Sequence, residues 1–488
     1  MKTRGRIITV RSSSLWALFA AAVACGDPRA TPPVELGTEP LPDASLSEVM
    51  PSVDMWPVEE RPVDAAVQGD AMDPGAPAYV GRWSGQSMRL EGSCGAAAPQ
   101  DREVPWQGIA ELGAVPSLPN LCNLVLSPVS ADRAELPAPA TCRGTDVLEA
   151  HITAEAERLT VSLLLEQDTC TVRYTYRYRK KSPHLFSALP VHPAASVHPH
   201  ESSRTLSSLH VFEEQVYTAH GVAAGGGAKN TIMSWDPIEQ RYLSHLTLDQ
   251  GAALLYRTAL GRVFALVAGA GGGTDYAAGP PWRPQGGLES VHTFDLAAWK
   301  GTLFLAGMQG KDAVIWKSSD EGKAWTIALR EPPLKANDKA TYFFIAPFND
   351  KLYIQAADLQ GGIHSKAKVF DGQSWTDTPS LVPDTSLRGW KPIVFAGKVL
   401  LQGAPGGHSL STFDGTSAER VDNFRIRDYA AQADRIYVLL DNETIVSSSD
   451  LRTWRDEGFA PDGSASMALF QGKVFVGAAE GRLYERAL

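Results

Sequence analysis

Histidines are the first residues in this chain with the means to bind a metal or move a proton. His184, His192, His198 and His200 fall within 17 residues, and imidazole is the commonest side-chain metal donor. The run His198-Pro-His200-Glu201 offers three donor side chains, but no matching ligand set accompanies it. A solvated, Pro-containing joint accounts for these histidines more simply, and no metal is expected. A second group is Asp275, Tyr276, Trp282 and Arg283. Exposed Tyr, Trp and Arg anchor interfaces and stack on sugar rings, so these four form the candidate ligand-binding set. Trp390, Lys391 and His408 are weaker candidates of the same kind. Catalytic patterns are missing. No G-x-S-x-G elbow occurs, no Gly-Lys-Ser/Thr follows the glycine run at 269–273, and no acidic pair stands out for glycoside hydrolysis. No catalytic residue and no cofactor is assigned.

The element that would position such residues is a repeated phrase: a turn, a branched aliphatic residue, then usually an aromatic one. It recurs as Val216-Tyr217, Val263-Phe264, Leu303-Phe304, Leu352-Tyr353, Val399-Leu400, Ile436-Tyr437 and Val474-Phe475. The aliphatic positions are separated by 47, 40, 49, 47, 37 and 38 residues. A period in that range marks a stacked or radial array. Four residues before most of these positions stands a bulky apolar residue: Phe212, Trp299, Phe348, Phe395 or Phe470, with Ala259 and Gln432 as the exceptions. Gly261, Asn349, Gly397 and Gly472 lie between and tolerate the positive φ of hairpin turns. The residues that follow are rich in Val, Ile, Leu and aromatics, which suit a pleated surface. The pattern predicts an all-β fold, with a seven-bladed β-propeller over residues 203–488. The last repeat ends one strand short of a four-stranded blade. Residues around 186–205 are expected to supply that strand and remove the open edge. The second repeat departs from the pattern between Asp275 and Arg283, where Pro280 and Pro281 predict an irregular loop, a usual place for binding residues.

The Asp-containing turns carry a more specific likeness. Ser318-x-Asp320-x-Gly322-x-x-Trp325 resembles an Asp-box, and Ser448-x-Asp450 followed by Trp454 is a second copy, one residue short and without the glycine. Trp235-Asp236-Pro237, Phe370-Asp371-Gly372 and Phe413-Asp414-Gly415 resemble the kelch equivalent. In both, the Asp accepts backbone N–H groups within the turn and the aromatic packs between blades. The likeness covers about residues 203–488 and implies structural roles for these residues. Asp-box propellers include sialidases, and a sialidase implies an Arg triad, a Tyr–Glu pair and an F/Y-R-I-P phrase. The near match, Phe424-Arg425-Ile426-Arg427, comes late in the array, has Arg in place of Pro, and reads as a strand.

Residues 1–24 read as a bacterial secretion signal, with Lys2, Arg4, Arg6 and Arg11 before an apolar run too short to span a bilayer. The run ends at Ala22-Val23-Ala24-Cys25-Gly26, which resembles a lipobox and implies lipidation of Cys25. The alternative is an ordinary signal that leaves Cys25 free. Residues 25–78 read as a disordered tether; positions 26–78 hold 10 Pro, 11 acidic residues and 2 Arg. The formal charge of the whole chain is −10. Such a balance lacks the basic face that nucleic-acid binding needs. Residues 79–182 read as a small all-β sandwich or barrel. Its Gly81-Arg82-Trp83 resembles the first strand of lipocalin-like barrels. Cys94, Cys122, Cys142 and Cys170 imply two disulfides in an exported segment, with the connectivity open. Residues 183–202 read as a linker.

The combined reading is a bacterial cell-envelope protein held to the membrane by a lipid anchor. It is a non-enzymatic binding scaffold whose propeller presents a face to a protein or an envelope glycan. The alternatives are a sialidase-like glycan hydrolase and an assembly subunit of an envelope complex.

Overall fold

The computed structural model describes residues 81–92, 102–105, 109–112, 117–118, 124–142, 145–155, 158–167, 170–180, 185–221, 230–248, 252–268, 274–288, 290, 292–335, 338–358, 362–364, 366–383, 389–403, 409–421 and 425–488. These residues are strands and turns with two short 3-10 helices, Glu201–Arg204 and Ala479–Gly481. None of the described helices is long and apolar enough to cross a membrane. The described residues divide into two compact units, 81–180 and 185–488.

The first unit is a nine-stranded antiparallel sheet built on the long meander Thr145–Glu155, Arg158–Gln167, Cys170–Lys180 and Gly81–Gly92. Along Thr145–Glu155, Val147, Ala150, Ile152 and Ala154 are buried while most of their neighbours are not, the period-two pattern of a sheet with one covered face. Leu126, Leu159, Val161, Leu163 and Tyr176 complete that core. Arg173 pairs with Glu149 across the sheet at 3.0 Å. The described strands of this unit form this one sheet and a two-residue ladder, Ser117–Leu118 with Leu124–Val125. The sheet ends at Arg102–Pro105 on one side and Ser127–Ser130 on the other. Cys25, Cys94 and Cys122 lie outside the described residues, as do the side chains of Cys142 and Cys170.

In the second unit each repeat folds as an antiparallel meander. The sheets span 208–248, 252–285, 292–331, 340–378, 389–421, 426–459 and 464–487. The 252–285 and 292–331 sheets also meet at one backbone pair, Ala268 with His292. The 340–378 meander is split along its length into a three-stranded and a four-stranded piece. Apolar clusters bind neighbouring sheets together. Tyr217 and Phe212 pack with Tyr256 and Val263, Leu255 and Phe264 with Leu303 and Trp316, and Phe304 and Ile315 with Tyr342 and Leu352. The series continues through Phe348 with Phe413, Leu400 with Tyr429, and Leu439 with Val476. The final cluster returns to the start: Phe475 and Leu483 of the last sheet pack with Trp235 and Val216 of the first.

The return is completed by a segment that precedes the array. Ser187–Ala188 pairs antiparallel with Leu483–Ala487 as the outer strand of the last sheet. Leu189 N–H donates to Leu483 O at 2.9 Å, His192 N–H to Gly481 O at 2.8 Å, and Leu206 N–H to Ala478 O at 3.1 Å. The same segment reaches the first sheet, where Ser207 N–H donates to Ala219 O and Gly221 N–H to Ser203 O. The described part of the expected linker, residues 185–202, is therefore not wholly solvated: His192 and Ala195 are 0% exposed and His198 only 4%. They are buried because they fill the seam between the first and last sheets.

Gly477 marks how tightly this seam is packed. A Cβ there would lie 2.5 Å from Ser466 Oγ and 2.8 Å from both Leu206 Cβ and Leu206 O. Gly477→Ala is expected to lower unfolding stability by ~1–3 kcal/mol through overpacking, read as a lower urea midpoint with an unchanged slope. An unchanged midpoint would mean that the seam is looser than described.

Candidate functional site

The first strands of neighbouring sheets approach one another, and the first strand of the last sheet lies against that of the first sheet, so these strands form an inner ring. Two aspartates sit on it at register shifts, Asp295 in His292–Trp299 and Asp428 in Ile426–Gln432. Asp295 Oδ1 accepts Leu296 N–H at 2.9 Å and Arg257 Nε–H at 2.5 Å, and its Oδ2 accepts Ile345 N–H at 2.9 Å. Asp428 repeats the plan. Its Oδ1 accepts Tyr429 N–H at 2.9 Å and Lys391 Nζ–H at 2.5 Å, and its Oδ2 accepts Met467 N–H at 2.8 Å. In each case the cation comes from the preceding sheet and the distal N–H from the following one. Each carboxylate thus ties three consecutive sheets.

The electrostatics follow from burial. Asp295 is 0% exposed, and burial raises its pKa against the opposing Arg257 guanidinium. His210, on the first strand of the 208–248 sheet, bonds through Nε2 to Thr258 Oγ1 at 2.8 Å. Burial lowers His210 to about 3, and the charges of Arg257 and Lys391 add to that shift. Tyr429 donates to the carbonyls of Lys391 and Leu400, and burial raises its pKa. Arg257 Nη2 is buried without a protein acceptor. The inner ring therefore gathers two cations, two saturated carboxylates and a neutral imidazole.

The sequence-based binding set needs correction. Asp275 and Tyr276 are buried. Asp275 accepts Leu288 N–H at 2.9 Å and the Ser290 hydroxyl. Tyr276 donates to Gly322 O at 2.8 Å and accepts Trp325 Nε1–H at 3.0 Å, fastening its sheet to the next. Trp282 is half-buried among Tyr217, His245 and Tyr256. Arg283 alone of the four is exposed. The stretch is not an irregular loop, because Tyr276–Gly279 and Arg283–Gln285 pair as the third and fourth strands of their sheet. Gly279 permits this: a Cβ there would lie 2.4 Å from Trp282 Cδ2, so only glycine lets the indole fold back over the turn. Lys391 is a clamp residue; the Trp390 side chain, His184, His408 and Phe424 lie outside the described residues. Arg425 and Arg427 flank the start of Ile426–Gln432, and both pair with Asp441.

The Asp turns join third to fourth strands. Ser318 Oγ accepts Gly322 N–H at 2.8 Å and donates to Asp320, which accepts Ala324 N–H at 2.9 Å. Asp450 accepts Arg452 and Thr453 N–H at 2.8 and 2.7 Å, with Ser448 Oγ donating to it at 3.0 Å and Trp454 packed behind. Asp236, Asp371 and Asp414 each accept two backbone N–H groups in the same way. These donors hold Asp450 down to about 2 and lower Asp320, Asp371 and Asp414 as well. Among the described residues no group of three or more His, Cys, Asp or Glu is arranged to hold a metal ion.

The clamps escaped the sequence reading, although a signal existed. Asp295 and Asp428 both stand eight residues before the aliphatic position of their repeat, each within an otherwise largely apolar strand.

These pairings define a β-propeller whose inner strands are stitched by buried ion pairs. No protein-family model and no curated protein matches the chain. Among solved structures it is similar to the GH74 enzyme of Niastella koreensis at 15% identity, over 62% of this chain and 53% of that one, with a TM-score of 0.43. It is also similar to YCF48 bound to D1 peptide, at 13% identity over 63% and 96% of the chains and a TM-score of 0.41. A chain of the mitotic checkpoint complex is 10% identical over 64% and 95%, with a TM-score of 0.45.

Removing one clamp carboxylate strands a buried cation. Asp428→Asn is expected to cost ~3–5 kcal/mol, because Lys391 is left uncompensated. The double change Lys391→Met with Asp428→Asn is expected to recover most of that loss. Denaturant unfolding of the single and double variants checks this, and additive losses would contradict the pairing.

Proposed function

We propose that this chain is a non-enzymatic binding scaffold of the bacterial cell envelope, a seven-bladed propeller lipid-anchored through Cys25, with its N-terminal β unit stapled by disulfides among Cys94, Cys122, Cys142 and Cys170. One observation carries the non-enzymatic reading. Each inner-ring carboxylate accepts three hydrogen bonds, one from a cation, so Asp295 and Asp428 are committed to holding sheets together. A glycosidase needs an acid and a base or nucleophile free to act on the substrate. The aromatic residues that could have stacked a sugar, Tyr276 and Trp282, are spent between sheets. That favours a protein ligand over a glycan, since proteins bind through loops spread over a rigid face.

The test uses the mature chain in native envelope. Gentle detergent extraction and affinity capture are expected to bring down one stoichiometric partner, with no turnover of glycosides and no specific glycan on an array. Cys25→Ala is expected to move the protein from the membrane to the soluble fraction. Hydrolysis of any glycoside would overturn the scaffold reading, and specific glycan binding would overturn the choice of a protein ligand.

A further inference from the structure

The seam that closes the ring is lined by imidazoles. His192 and His198 come from the closing segment, and His220 follows the second strand of the first sheet. All three are buried. The His192 ring meets His220 edge-on at 4.9 Å and Tyr242, on the fourth strand of that sheet, also at 4.9 Å. His198 lies 6.1 Å from His220. His192 also joins the last sheet through its N–H to Gly481 O. A Cβ on Gly481 would come within 3.3 Å of His192 Cβ, so the ring is wedged between the two sheets.

Hydrogen bonding fixes the state of these rings. His192 Nδ1 accepts Ala195 N–H at 2.9 Å, and His198 Nδ1 accepts His200 N–H at 3.2 Å. A neutral ring that accepts at Nδ1 carries its proton on Nε2. Both Nε2 atoms are buried without an acceptor. Nε2–H tautomers have no lone pair to offer a metal there. What they do instead is resist charge, because a second proton would displace the backbone donor from Nδ1.

We infer that the closing segment 187–206 is an acid-labile latch: protonation of His192, His198 and His220 releases it from the first and last sheets while the other sheets stay folded. The surrounding carboxylates are paired or exposed and do not offset that charge. Glu480, the carboxylate of this corner, is already paired with Arg204 at 3.3 Å, and Arg204 Nε–H donates to His198 O. Glu201, His200 and Arg482 are exposed, and Tyr242 presents a hydroxyl without a partner. Burial pushes His192 down to about 3, with His220 beside it adding to the shift. Burial pushes His220 to about 4 with His198 contributing, while the Thr231 and Ser203 carbonyls offset part. His198 is lowered by burial too, and Arg204 adds to it. A histidine whose closed-state pKa is depressed leaves the latch at full strength above about pH 6.5. It loses strength as the pH falls from there toward the closed-state value, because the released segment takes up protons first.

Hydrogen exchange of the full chain at pH 7 and pH 5, corrected for the intrinsic pH dependence, tests this. Peptides covering 187–206 and 483–487 are expected to exchange at least about tenfold faster at pH 5. Peptides of the 426–459 sheet, which has no histidine, are expected to be unchanged. In His192→Asn with His198→Asn, Oδ1 takes over from Nδ1 as acceptor and the acceleration is expected to fall by at least about tenfold relative to the unaltered chain, leaving only the part carried by His220. Uniform acceleration across all sheets, or none at the seam, would overturn the latch from the unaltered chain alone. Undiminished acceleration in a folded double variant would do the same.

Discussion

A ring of antiparallel sheets has one weak place, the seam where its last sheet meets its first. Here the seam is made by residues far apart in sequence: Ser187–Ala188 against Leu483–Ala487, and Leu206 against Ala478 and Ser466. The first and last sheets depend on that joint, because each sheet buries its faces only against its two neighbours. Phe475 and Trp235 are covered only when the first and last sheets are together. Each backbone bond across the seam contributes only ~1 kcal/mol net. The joint therefore rests on buried side chains as much as on strand pairing, and Ala195, His192 and Leu206 fill it.

The inner ring adds a second kind of constraint. Apolar packing joins sheets in pairs, whereas Asp295 and Asp428 each reach across three. A carboxylate that takes a cation from behind and an N–H from ahead sets the spacing of three inner strands at once. The cost is a buried charge in each clamp, compensated by saturation of both oxygens. Such a ring is suited to holding its loops still, and binding then falls to what the loops present.

Much of the scaffold was legible in the chain because its cues are local. The turn–aliphatic–aromatic phrase marks second strands such as Gln215–Ala219 and Arg435–Leu440. The Asp turns at Asp320 and Asp450 form within a few residues and need nothing distant. The missing outer strand was foreseen because a three-stranded end demands a partner. What stayed hidden is non-local. Nothing near His192 announces that the ring will be buried against Tyr242, fifty residues on. Tyr276 looks like an interface residue until Trp325 and Gly322 are seen to engage it from the next sheet. Trp282 looks exposed until Gly279 gives it room to fold inward. In each case the side chain suited a surface role by type, and tertiary packing used it as a fastener.

Closure of the ring is marked by the pairing of Ala188 with Tyr484, which lie opposite each other across the closing strands. The direct measurement is site-specific cross-linking: Ala188→Cys with Tyr484→Cys in the full chain, oxidised in the native state and read by peptide mass spectrometry. The closed ring predicts near-complete formation of that one bridge. Each cysteine paired with a strand further along, such as Ala188→Cys with Phe459→Cys, should give none. Absence of the Ala188–Tyr484 bridge in the folded protein, or equal bridging by the control pair, would mean that the ring is not closed by this segment.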